Sequence, residues 1–532
     1  MQILSTSRLC LAASFLALSV GISGPAFADE AATLKNLQEQ INALQKQLAE
    51  LQAAQAKSAK AASSEKAEAS TASTQAAASK DSLRGVIRAK TGVDLTLGGN
   101  IDAATFYRSK NQSADVGSNF NTMIPFNNAA NAHQGEYRGS ARSSKLSLKA
   151  TGNPDADTKL TGYFEIDFQS AGSTSTQTQT NSYVPRMRQG FLSYEDSAEG
   201  FQLLGGQTWS LLTMNTQGID AFKQSIPPVL DSGYLPGFNF TRAPQLRIVK
   251  DFMDKKLAVG LSVESPQAVT GGICTSTSAM SNNPSAGSSA CTGFDTSYRV
   301  SNAGYTGNLQ GNITTDVAPD IIVKVAYDPG WGHYEAFGIT RFFHGMVGSN
   351  YHNNYYVGSG VGAGALLPVV AKKLDVQANV MVGQGVGRYG AAQLPDFSIS
   401  PNGSLKPLSQ YTAMLGLVAH PTPVLDTFLY AGLEQTFRHS ANGVTNNAYG
   451  YGNFGVDNSG CNTVGGTCYA QTSSVWQITP GAWYSFYDGE YGKMKAGVQY
   501  SWTRRNAFSD SNGIAPHGIE NIAMFMLRFQ PF

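Results

Sequence analysis

The sequence predicts an all-β fold, a transmembrane antiparallel β-barrel of about sixteen strands, and three observations carry that reading. The first is a period of two in polarity that begins at Val93 and persists. In the stretch 143–170, Leu146, Leu148 and Ala150 share one face of a strand while Lys145, Ser147 and Lys149 share the other. The next strand sets Leu160, Phe164, Ile166 and Phe168 against Lys159, Thr161, Glu165 and Asp167. Successive side chains on a strand point to opposite faces, so each strand is apolar on one side and charged on the other. A sandwich shows the same alternation. The second observation separates the two: short links that include 151–157, 195–199, 253–254, 329–330, 368–371, 421–422 and 488–490 alternate with long polar ones that include 108–137, 210–242, 265–318, 439–472 and 506–519. One end with tight turns and one with long loops is a barrel property that sandwich connections do not share. The third is composition: 56 glycines, 10% aromatic and only 14% charged residues suit β architecture better than helix bundles.

Taken in order, the chain opens with Arg8, an apolar run over 9–22 and Ala26-Phe27-Ala28. That is the pattern of a signal peptide, 1–28, cleaved before Asp29; the run is too short for a bilayer span. Residues 29–52 place Leu34, Leu37, Ile41, Leu44, Leu48 and Leu51 three and four apart, the seam of a periplasmic coiled-coil helix, with Asp29 and Glu30 at its positive end. Residues 53–92, rich in Ala, Ser and Lys, read as a linker. The barrel is expected over 93–532, with strands near 93–107, 138–150, 158–168, 184–194, 200–209, 243–252, 255–264, 319–328, 331–343, 353–367, 372–388, 408–420, 423–438, 473–487, 491–505 and 520–532.

Beyond the leader, four cysteines remain: Cys274, Cys291, Cys461 and Cys468. They permit three connectivities, of which nearness in sequence favours Cys274 with Cys291 and Cys461 with Cys468, each inside a long loop of an oxidising compartment. No histidine lies beside either pair, so no metal site is expected. A net charge of +1 gives no bulk attraction to nucleic acid. The nucleotide-binding glycine signatures, the metalloprotease helix motif and the hydrolase serine elbow are absent, so neither cofactor nor catalytic residue is assigned.

The segments SKLSLKATG and KLTGYFEIDFQ resemble strands two and three of bacterial general porins. GGQTWS (205–210), APQLR (243–247), DPGWGHYEAFGITRFF (328–343), GQGVGRYG (383–390) and LRFQPF (527–532) resemble the DcaP-like porins. The resemblance implies a homotrimeric bacterial outer-membrane channel linked to dicarboxylate uptake, with an N-terminal coiled coil. The terminal Phe532 resembles the signal read by the barrel assembly machinery, although Gln530 departs from the aromatic usual there.

A barrel of this size encloses an aqueous lumen, so selectivity must come from inward charges and inward-folded loops. Face assignment turns Lys145, Lys149, Glu165 and Asp167 inward. On the fourth strand Phe191 reads as lipid-facing, which turns Arg186 and Arg188 inward, and Arg247 lies opposite Leu246 and Ile248. Lys145, Arg186, Arg188 and Arg247 are then expected on one basic wall, where guanidinium forks grip carboxylates of small anionic solutes. The bland alternative is that Glu165 and Asp167 neutralise these bases. The link 210–242, the third long loop, corresponds to the inward loop of general porins and supplies Asp220, Lys223, Asp231 and Arg242 as a constriction. Gly358, Gly360, Gly362 and Gly364 share a strand face that lets another segment approach. Arg388 and Tyr389 are expected at the pore mouth.

The expected function is passive diffusion of small, anionic, dicarboxylate-like solutes across the outer membrane. A structural envelope tether anchored by the barrel is the alternative. An outer-membrane hydrolase is a third, resting on His333 within WGHYE, which has no serine nucleophile context.

Overall fold

The structure, a computed structural model, describes residues 86–88, 92–112, 114–115, 121–169, 183–269, 271, 299–300, 316–347, 352–400, 404–442 and 448–531. The signal peptide, the heptad helix, residues 53–85 of the linker, Cys274 and Cys291 lie outside the described residues.

Sixteen antiparallel strands close into a barrel. They are β1 (Val93–Arg108), β2 (Glu136–Ser140 continued by Lys145–Gly152), β3 (Thr158–Asp167), β4 (Arg186–Asp196), β5 (Phe201–Trp209), β6 (Arg242–Phe252), β7 (Leu257–Glu264) and β8 (Asp320–Tyr327). The second half comprises β9 (His333–Val347), β10 (His352–Val370), β11 (Leu374–Gln384), β12 (Ser409–Thr422), β13 (Leu425–Thr436), β14 (Thr472–Gly489), β15 (Gly492–Ala507) and β16 (His517–Gln530). Each pairs with its sequence neighbours, and β16 returns to β1 from Ile101 opposite Phe529 to Arg108 opposite Ile522. Closure removes both sheet edges, which a membrane requires because hydrocarbon cannot hydrogen-bond an open edge. A short strand, Val86–Arg88, doubles back along the start of β1 within the expected linker.

The alternation of links holds with one exception: β9 and β10 are joined through 348–351, a short link at the long-loop end. There the strands themselves extend instead, to 15 and 19 residues.

The barrel is apolar outside and polar inside. Leu146, Leu148, Phe164, Leu246, Val323, Val361, Val382, Leu417, Val498 and Phe525 point outward and are exposed. So large an apolar belt is incompatible with water and suits lipid. Aromatics rim it, with Tyr107, Tyr137, Tyr355 and Phe437 towards the long loops and Phe252, Tyr327, Trp331 and Tyr491 towards the short turns. Inside, Asp102, Glu264, Lys324, Arg341, Gln377, Glu434 and Glu520 are buried.

Candidate pore and constriction

The third long link, 210–241, occupies the lumen. Its first arm is bonded to the wall at β7–β9: the Leu211 amide donates to Glu264 Oε1 (2.8 Å), the Asn215 amide to Glu335 Oε1 (2.9 Å) and the Gly218 amide to Asp328 Oδ2 (2.8 Å). The return arm is held from the far side. Trp483 Nε1 donates to the Pro228 carbonyl (2.7 Å), the Leu230 amide to Gln499 Oε1 (2.6 Å) and the Gly237 amide to Glu434 Oε1 (2.8 Å). Apolar side chains fill in beneath both arms. Leu211, Leu212 and Ile219 pack on Val249, Ile322, Phe337 and Met381, while Leu230, Tyr234, Leu235 and Phe238 pack on Met414, Tyr430, Trp483 and Met526. A loop at lumen depth must satisfy its backbone donors on protein groups, and inward carboxylates and amides do so here.

The loop therefore packs on the walls of β6–β16 and also reaches Ala104 and Phe106 of β1 and, through Ala221 and Phe222, Tyr163, Phe191 and Leu204 of β3–β5. Phe222 and Ile226, on the loop, remain exposed. Phe222 meets Tyr163 and Phe191 of the opposite wall at ring-centroid distances of 5.2 and 5.4 Å.

Phe191 corrects the sequence reading: it faces inward and is buried, not lipid-facing. A bulge is the cause. Gln189 pairs with Glu165 and Met187 with Ile166, so Arg188 is an extra residue that resets the alternation. Arg186 and Arg188 consequently face the lumen even though Phe191 does too. A second irregularity, the break at 141–144 in β2, turns Arg142 inward, where it donates to Phe168 O (2.9 Å) and meets Asp115 (3.4 Å).

The inward cations fall into two groups. Arg188 binds Glu165 (2.7 Å) and Asp167 (2.8 Å), and Arg186 grips Asp167 through Nε and Nη2 (3.0 and 2.9 Å). Two cations and two carboxylates cancel. By contrast, Lys145, Lys149, Arg242 and Lys495 have no carboxylate within ion-pair distance among the described residues. Three of them lie over aromatic faces: Lys149 over Phe222 (5.3 Å), Arg242 over Trp209 (4.9 Å) and Lys495 over Trp483 (4.4 Å). One guanidinium nitrogen of Arg242 is buried without a partner. Arg247 stands apart from this wall. It is buried beside Trp209 and donates to the Trp209 carbonyl (2.6 Å) and Gln245 Oε1 (3.0 Å).

No family model and no curated protein matches the chain. Among solved structures, the outer membrane channel DcaP of Acinetobacter baumannii covers 84% of this chain and 99% of its own length, with a TM-score of 0.57 and 16% identity. The chain has the fold of a DcaP-type porin barrel. The anion-selective porin from Comamonas acidovorans covers 82% of this chain and 99% of its own, with a TM-score of 0.41 and 10% identity. OmpF of Salmonella typhi covers 83% and 99%, with a TM-score of 0.42 and 12% identity.

Within this DcaP-type barrel the other expected site residues are placed as follows. Asp220 accepts from the Phe222 amide (2.7 Å), Lys223 donates to Gln217 (3.0 Å), and both line a cavity of about 360 Å³ at the short-turn end with Asp157, Lys159 and Glu195. Asp231 caps a turn of its own loop by accepting from the Gly233 amide (3.1 Å). Arg388 and Tyr389 lie in the link 385–408 and are buried rather than at an open mouth; Tyr389 donates to Asp320 (2.7 Å). Burial lowers the pKa of the Arg388 guanidinium. The glycine face of β10 points inward: a Cβ at Gly364 would stand 2.6 Å from the Met214 sulfur of the constriction loop. Cys461 and Cys468 form a disulfide. His333 faces Asp328 and Glu335, which occupy both ring nitrogens.

Lys495 and Arg528 escaped the sequence reading. Lys495 stood on the polar side of a legible strand, but only barrel closure brings β15 and β16 beside β1 and β2.

Proposed function

We propose that the protein is an outer-membrane porin, a water-filled channel for passive diffusion of small anionic solutes of dicarboxylate type. The observation that carries this is the set of Lys145, Lys149, Arg242 and Lys495, inward cations without carboxylate partners among the described residues, of which Lys149 lies over the exposed ring of Phe222. A cation in a partly desolvated passage attracts an anion more strongly than it would in bulk water. Arg186 and Arg188, already bound to Glu165 and Asp167, act mainly to hold the wall; Arg247 supports the root of the constriction loop. In this reading the chain assembles as a homotrimer, its leader is removed, and the heptad helix and linker lie in the periplasm.

Liposome swelling tests the solute class. Succinate and aromatic dicarboxylates should enter faster than sugars or amino acids of similar size. Equal rates for neutral and dianionic solutes would contradict the reading.

A further inference from the structure

The turn between β8 and β9, Asp328-Pro-Gly-Trp-Gly-His-Tyr-Glu335, plays no part in solute attraction, yet its charged groups, with Lys324 of β8, are bonded directly to the constriction loop. His333 Nδ1 lies 2.8 Å from Asp328 Oδ1 and Nε2 lies 3.0 Å from Glu335 Oε1. Lys324 Nζ meets Glu335 Oε2 at 2.8 Å. Each carboxylate then reaches the loop: Asp328 accepts from the Gly218 amide, and Glu335 from the Asn215 amide. Lys324 completes the joint by donating to Thr213 O (2.8 Å) and Asn215 Oδ1 (3.2 Å).

A neutral imidazole has one N–H. With both ring nitrogens against carboxylate oxygens, it would turn a lone pair towards one of them, so this geometry calls for the imidazolium. Charge counting agrees. Lys324, protonated His333 and the neighbouring Arg247 balance Asp328, Glu335 and Glu264, whereas neutral His333 leaves a net negative charge at a buried site. Protons can reach it. A cavity of about 680 Å³ opens beside the cluster, lined by Asp254, Lys255 and Lys256 from one turn, Asp375 from β11, and Asp328 and His333 themselves.

We propose that this turn is a latch for the constriction loop, with His333 as its positioning residue: the imidazolium seats Asp328 and Glu335, which hold the first arm of the loop against the wall. Loss of the proton at alkaline pH releases that arm and makes the constriction unsteady. The inference rests on the reading that the loop narrows the aqueous path.

The test records single channels of the full protein in planar bilayers from acidic to alkaline pH, for wild type, H333N and H420N. His420 also faces two carboxylates, Asp426 and Asp375, but does not touch the loop. Wild type and H420N should be quiet at acidic pH, with closures several-fold more frequent as pH rises. H333N should be noisy at every pH. A flat wild-type profile, or an H333N channel that keeps the wild-type profile, overturns the proposal. Hydrogen exchange of wild-type protein gives a second measurement that needs neither a variant nor a conducting pore. Protection of segment 213–218, corrected for the intrinsic pH dependence of exchange, should fall several-fold with rising pH while β14 and β15 hold theirs; constant protection overturns the latch while leaving the porin reading intact.

Discussion

Arg528 grips Asp102 through two hydrogen bonds of 2.7 Å, Nε to Oδ1 and Nη2 to Oδ2, across the seam where the last strand meets the first. Asp102 is buried, and the Arg528 guanidinium also lies 5.2 Å from the Trp483 ring centroid. Asp102→Asn weakens the seam and frees a cation at once. Removing one partner of a buried pair costs about 3 kcal/mol, and the partial exposure of Arg528 reduces that to about 2. The expected outcome is a lower heat-modification temperature on gels together with a stronger anion preference. A variant with unchanged anion preference would show that Arg528 does not face the path.

Lys145 and Arg188 are neighbours in the lumen with different duties. Lys145→Gln removes a cation that makes no ion pair among the described residues, so anion preference should fall while thermal stability stays within about 0.5 kcal/mol. Arg188→Gln strands Glu165 and Asp167. It should lower anion preference and also destabilise the barrel by about 3 kcal/mol, read as a fall in melting temperature.

Glu434 is a fixed point for two inward links. Its Oε1 accepts from the amides of Gly237 and Ala392, at 2.8 and 3.0 Å. Glu434→Gln keeps an acceptor oxygen there and should conduct almost as wild type does. Glu434→Ala leaves two buried donors unpaired at about 1–3 kcal/mol each, so conductance should become larger and noisier.

The Cys461–Cys468 disulfide closes a small loop whose backbone is clamped to the first long link, with the Asn128 amide donating to Cys461 O (3.0 Å) and the Gly465 amide to Asn128 O (2.9 Å). Chain entropy assigns so short a loop about 2.5 kcal/mol. The paired change to serine should therefore open the segment near 455–470 to proteases and lower the melting temperature slightly, with conductance unchanged.

Strand number and wall faces were legible because lipid outside and water inside impose a strict period of two, as on Leu146 and Lys145. The strand expected at 93–107 is Val93–Arg108, although the one expected at 372–388 is only Leu374–Gln384, since the chain beyond it turns into the lumen. What broke the reading were local departures from that period. The bulge at Arg188 made the inference from Phe191 fail, and the break at 141–144 hid Arg142. Proximity was the other limit. The neutralisation of Arg186 and Arg188 by Glu165 and Asp167 was legible as the alternative, because adjacent strands carry the four side chains, but no alternation indicates that Arg528 meets Asp102 or that Arg247 is sealed off beside Trp209. Those facts depend on closure and on the path of a thirty-residue loop, which only the fold reveals.

In the proposed function, lumen cations that have no carboxylate partner among the described residues set the preference of this pore. The most direct measurement is the reversal potential under a potassium chloride gradient, for wild type and for a variant carrying Lys145→Gln, Arg242→Gln and Lys495→Gln together. Wild type should show clear anion selectivity that the triple change abolishes. A cation-selective wild type, or a triple variant with an unchanged reversal potential, would rule out anion selection by these three side chains.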